Sequence, residues 1–200
     1  MGISHSDYFP GGDLYWKVNN KPSGFYPHIL RAMFDQVFAF LCYHSRLFAV
    51  RYDLHQPSFT ADNQRMTTFI RRLSKQLNTR YGFKYIGYVW VREQVTGQGQ
   101  HYHLLLLLDG KLVQHPQRIT EICRQIWQDM SGTLYVPDSP YYNIKRSDQH
   151  TLAKLLFRLS YFAKAKDKDR NPTYTNNYGR SRIKPKLGWQ YAPSSPALFS

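Results

Sequence analysis

The stretch Glu93-Gln-Val-Thr-Gly-Gln-Gly-Gln-His101-Tyr102-His103-Leu-Leu-Leu-Leu-Leu-Asp109 decides how this chain folds. Strand side chains alternate faces, so His101 and His103 project from the same side of one strand and present two imidazoles together. The leucine run that follows, Leu104 to Leu108, marks a central strand covered on both faces. Upstream, Tyr85-Ile-Gly-Tyr-Val-Trp-Val-Arg-Glu93 is rich in β-branched and aromatic residues and reads as a second strand. The Gly-rich segment Thr96–Gln100 between them predicts an antiparallel hairpin. That hairpin would lay Glu93 across from the histidines.

Working outward, Pro27 to about His44 carries Ile29, Met33, Phe34, Val37, Phe40 and Leu41 at helical spacing. Leu47–Leu54 reads as a strand. A second helix, capped by Thr60 or Asp62, buries Met66, Phe69, Ile70, Leu73 and Leu77 and stops at Gly82. A third runs from Pro116 to about Met130. Leu134–Val136 and Tyr141–Ile144 are short strand candidates, and a last helix spans Asp148 to about Lys166. This order predicts an α+β fold, an antiparallel central sheet with helices packed on it. The expected organisation is an irregular N-terminal arm (1–22), one domain (23–168) and a basic C-terminal tail (169–200).

Two hundred residues suffice for one domain with a sizeable core. The chain has 27 Lys and Arg against 13 Asp and Glu, a formal charge of +14, which points to a polyanionic partner, most often nucleic acid. Sixteen tyrosines and 12 phenylalanines could stack unpaired bases or simply fill the core. Cys42 and Cys123 allow no disulfide framework and suit a reducing cytoplasm. With no signal-peptide pattern and no apolar run of membrane-spanning length, a cytoplasmic protein without a membrane partner is expected.

Glu93, His101 and His103 make a plausible three-ligand set for a divalent ion, with open positions for substrate. In a basic protein with one carboxylate ligand, Mg2+ or Mn2+ acting on phosphate fits better than zinc. The pair alone also suits a surface strand end with satisfied histidines, and Glu93 could pair with Arg92. Near the C-terminus, Arg158, Tyr161 and Lys164 recur at spacing three, which makes them neighbours on a helix. Nearby cations favour an ionised phenol and could hold a phosphate, although a Tyr beside Lys and Arg is ordinary on a helix. Arg180, Arg182, Lys184 and Lys186 form an extended basic segment suited either to a DNA backbone or to solvent.

An acid upstream of a strand His-hydrophobe-His, followed by a helical Tyr-x-x-Lys, resembles the HUH endonucleases, the relaxases and rolling-circle replication initiators. The phrases Arg51-Tyr-Asp-Leu-His55, Trp90-Val-Arg-Glu93, His101–Leu108, Leu159-Ser-Tyr-Phe-Ala-Lys164 and Tyr178-Gly-Arg-Ser-Arg182 are similar to the prophage-encoded YagK/YfjJ type, also called inovirus gene-2-like proteins. The resemblance covers roughly Arg46 to Arg182. It implies a ferredoxin-like sheet, a metal held by Glu93, His101 and His103, and Tyr161 as nucleophile on a DNA phosphate, with Lys164 and Arg158 assisting. Single-stranded or extruded origin DNA would be the substrate. Phe157 and Ala165 flank Tyr161 at four residues on either side, so the resemblance is to single-tyrosine initiators, with Tyr174 and Tyr178 as weak second candidates. No P-loop motif is present, which leaves unwinding and synthesis to a host helicase and polymerase. The other reading is a DNA-binding regulator of a mobile element, without turnover, on the same fold.

Overall fold

The computed structural model describes residues 2–95, 99–165 and 176–191. The chain runs β1 (Tyr8–Gly11), β2 (Leu14–Lys17), α1 (Pro27–Tyr43), β3 (Arg46–His55), α2 (Gln64–Tyr81), β4 (Gly87–Val95), β5 (Gly99–Asp109), α3 (Gln117–Gln128), β6 (Thr133–Tyr135), β7 (Tyr141–Lys145), α4 (Gln149–Leu159), a 3₁₀ turn (Ser160–Ala163) and β8 (Tyr178–Arg180). The fold is α+β. Its main sheet has the order β6-β3-β5-β4-β8, with β7 also pairing β3, and every pairing is antiparallel. The unit β3-α2-β4-β5-α3-β6/β7 therefore has the ferredoxin-like arrangement, in which the last strand returns beside the first. Among the described residues, no helix is long and apolar enough to cross a membrane.

Period-two alternation sorts the strand side chains into two cores. Phe48, Val50, Tyr52, Leu54, Tyr102, Leu104, Leu106 and Leu108 face α2 and α3. Leu47, Ala49, Val89, Val91, Leu105 and Leu107 face α1 and α4. The leucine run thus belongs to a strand with helices on both sides, as the sequence predicts. Gly82 closes α2 in the left-handed conformation at φ 64°, where a glycine pays no Cβ penalty.

The structure differs from expectation in three places. Residues 8–17 form a hairpin and not an irregular arm; Phe9, Trp16 and Val18 are buried in the α1 core. Residues 176–191 are not a loose tail: β8 pairs with β4, Ser181 Oγ bonds Gln36 Oε1 at 2.5 Å, and Tyr191 is buried. The last α-helix ends at Leu159, and Tyr161 sits on the 3₁₀ turn. Ser160 accounts for that ending. Its buried hydroxyl donates to the Phe157 carbonyl at 2.6 Å and accepts from the Asn19 backbone N–H at 2.7 Å, tying the turn to the segment after β2. Residues 96–98, Lys166 and Tyr174 lie outside the described residues.

Candidate metal centre

Strand register brings the predicted ligands together. Glu93 on β4 lies opposite His101 on β5, and His103 is two residues further on the same face, toward α1 and α4. Glu93 Oε2 stands 3.0 Å from His103 Nε2 and 3.5 Å from His101 Nε2. The three ligand atoms lie within 4.8 Å of one another, so the group could hold a metal ion. Ligands about 2.1 Å from a divalent ion sit about 3 Å to 4 Å apart, so the residues fit one. Arg92, one residue from Glu93, faces α2 and donates to the carbonyls of Asp62 and Thr60.

The sequence reading missed Asp53. On β3, Asp53 pairs with His103 and His55 pairs with His101. Asp53 Oδ1 accepts from His103 Nδ1 at 2.6 Å, which turns Nε2 toward Glu93. A carboxylate on the far nitrogen of a ligating histidine fixes its tautomer and raises its basicity. His103 is buried between two carboxylates. Burial would lower its pKa, but the hydrogen bonds to Asp53 and Glu93 and their charges prevail and raise it. Burial likewise pushes the Asp53 carboxyl up, and is outweighed by the hydrogen bond and charge of His103 and by Arg51. His55 stacks on His101, with centroids 5.2 Å apart. Its pKa is lowered, by burial first and then by the charge of His101.

The 3₁₀ turn meets this cluster directly. Phe162 stacks on the His103 ring, and the Arg51 guanidinium lies 5.0 Å from the Phe162 centroid while pairing with Asp53 at 3.6 Å. A cleft of about 940 Å³ opens beside it. Its lining includes Asp53 and His103 from the cluster, Tyr161 and Arg158, and the cations Lys17, Arg51 and Lys154. Tyr161 is 47% exposed there. Lys164 Nζ stands over the Tyr161 ring, 4.6 Å from its centroid, and Arg158 donates to the Asp138 carbonyl. Of the predicted Arg158–Tyr161–Lys164 group, Lys164 thus meets the Tyr161 ring face, while Arg158 lines the same cleft with its guanidinium turned to Asp138.

The four predicted tail cations lie elsewhere. Arg180, Arg182 and Lys184 line a cavity of about 830 Å³ between α1 and the C-terminal segment. Arg180 pairs with Asp35 at 3.1 Å, and Lys186 Nζ lies over the Tyr43 ring.

The family model of the YagK/YfjJ C-terminal domain matches residues 14–181. No curated protein and no solved structure matches the chain.

Proposed function

The chain belongs to the YagK/YfjJ C-terminal domain family, and we propose that it is a metal-dependent, site-specific single-strand DNA nicking and joining enzyme of the HUH kind. Its biological role would be to start rolling-circle replication of a phage, prophage or plasmid. The observation that carries this reading is the shared cleft: Tyr161 lines the same space as His103, beside a Glu-His-His group able to hold a metal.

A divalent ion, Mg2+ or Mn2+, held by Glu93, His101 and His103 would polarise the scissile phosphate and offset charge developing on its oxygens. Asp53 keeps a proton on His103 Nδ1 and leaves Nε2 for the ion. The Tyr161 oxygen attacks phosphorus as the phenol proton leaves. The bond from phosphorus to the 3′ oxygen breaks, that oxygen takes up a proton, and the 5′ phosphate stays on Tyr161. The free 3′-hydroxyl can prime a polymerase, or attack the phosphotyrosine and reseal the strand. Arg158 and Lys164, with Arg51, bind the phosphate. The exposed rings of Tyr135 and Phe157 in the same cleft suit unpaired bases. Strand separation and synthesis fall to a host helicase and polymerase.

The test uses single-stranded oligonucleotides tiling the DNA around the protein's own gene, with Mn2+, and looks for a covalent adduct on a denaturing gel. Wild type forms the adduct; Tyr161→Phe binds the same oligonucleotide but forms none. An adduct retained in Tyr161→Phe would remove the nucleophile assignment. DNA binding with no adduct for wild type on any oligonucleotide would make the protein a DNA-binding regulator.

A further inference from the structure

We propose that the outer face of α2 and α3, on the side of the sheet opposite the metal centre, docks the phosphate backbone of double-stranded DNA. α2 carries Arg65, Arg71, Arg72, Lys75 and Arg80 and not one acid. Arg65 turns inward, donating to the Met130 carbonyl with its guanidinium 4.9 Å from the Trp127 ring centroid. The other four are exposed, and among the described residues none of them is in an ion pair.

A groove of about 530 Å³ runs between the two helices, lined by Arg72, Lys75, Arg80 and Arg118 against one acid, Asp129. Asp129 accepts from the Gln125 amide at 2.8 Å, and Arg118 has an exposed partner in Glu121. Neither acid neutralises the α2 row. Arg71 and Lys75 are four residues apart, and Arg72 and Lys75 three, so like charges face each other along the helix and destabilise it. A polyanion bound there relieves that repulsion.

The chemistry of the lining favours a duplex over a single strand. The groove has no aromatic side chain on which an unpaired base could stack, whereas the cleft beside the metal centre has Tyr135 and Phe157. Along α2, Arg72 and Arg80 are about 12 Å apart at ~1.5 Å per residue. The B-DNA major groove is about 12 Å wide, so the two ends of the row can reach the strands that border one groove. This surface goes beyond the nicking reaction and does not depend on it.

The test is the triple variant Arg72→Ala, Lys75→Ala, Arg80→Ala, with binding followed by fluorescence anisotropy across a salt series. Each lost phosphate contact lowers the slope of log affinity against log salt by about 0.9 on B-DNA, so the duplex slope should shrink by about 2.7. Affinity for oligo-dT should stay at the wild-type value. The variant should melt no lower than wild type, because it loses repulsion and no buried contact. An unchanged duplex slope overturns the proposal, as does an equal loss on oligo-dT. Intact duplex binding with lost binding to phosphatidylserine vesicles assigns the face to a membrane instead. Adduct formation on single-stranded substrate should be unaffected in this variant, so a failed nicking assay and a failed docking assay remain separate results.

Discussion

Phe162 lies nearly flat on the imidazole of His103, their centroids 4.9 Å apart and their planes within 14°. This contact joins the turn that carries Tyr161 to the strand that carries His101 and His103 of the candidate metal group. Phe162 is fully buried, so truncation removes both a core side chain and the link between the two halves of the site. Phe162→Ala should cost about 3–5 kcal/mol in urea denaturation. Phe162→Leu should cost less while still losing the stack. If Phe162→Leu forms adduct at the wild-type rate, the stack does not position Tyr161.

Asp53 acts through His103. Replacing it with Asn keeps the shape but removes the charge that holds the Nδ1 proton and balances Arg51. Mn2+ affinity measured by calorimetry should fall about 10–100-fold. A ligand change, Glu93→Gln or His103→Ala, should in addition abolish the metal-dependent stabilisation, which for wild type should amount to about 2.7 kcal/mol at a hundred times the dissociation constant. Wild-type affinity in Asp53→Asn would reduce Asp53 to a structural partner of Arg51.

The parts of this site legible in the sequence are those carried by local periodicity. The β4–β5 hairpin brings Glu93 opposite His101, as two alternating strands and a Gly-rich connection predict. Asp53 depends on the register between β3 and β5, strands separated by a helix and another strand, and no local pattern sets that register. A trace of it existed: Arg51, Asp53 and His55 alternate with Tyr52 and Leu54, a polar stripe on a strand whose other face is buried. The switch from helix to 3₁₀ turn before Tyr161 was hidden because its cause, the bond from Asn19 to Ser160, joins residues far apart in the chain. The hairpin of β1 and β2 has no local signature for a related reason, since its short strands are stabilised by burial against α1.

The C-terminal strand depends on Gly179. A Cβ at that position would overlap the ring of Trp90 on β4. Gly179→Ala should therefore push β8 off the sheet edge, at a cost of about 1–3 kcal/mol. Trypsin should cut sooner after Arg180 and Arg182, and Trp90 fluorescence should report greater exposure. Unchanged cleavage would mean that the strand shifts sideways without undocking.

Asp148 caps α4, accepting from the Thr151 N–H at 3.0 Å. That backbone bond is the main cause that holds its carboxyl below the ordinary 3.8, against the smaller opposing effect of burial. A depressed folded pKa means stability that is present above the unfolded pKa and lost as pH falls through the folded value. Asp148→Ala should cost about 1 kcal/mol at neutral pH. The gap to wild type in thermal melts should close progressively below the ordinary carboxyl range. Asp148→Asn, whose amide oxygen still accepts, should keep most of the cap at both ends. A pH-independent gap for Asp148→Ala would place its effect outside the charged cap.

Tyr135 and Phe157, 56% and 41% exposed, are apolar surface that core packing does not explain. Both line the cleft that Tyr161 shares with Lys17, Arg51 and Lys154. Rings beside cations in one groove are what a single strand needs, since bases stack on the rings while phosphates meet the charges. Each of Tyr135→Ala and Phe157→Ala should weaken oligo-dT binding by about 1–3 kcal/mol per stacked base, roughly 5–150-fold. Because neither side chain is buried, melting temperatures should hold. Duplex affinity should hold as well, since paired bases offer no free face to these rings. Loss of affinity for both forms alike would point to a general field effect, and no loss for either would leave the cleft without a stacking role.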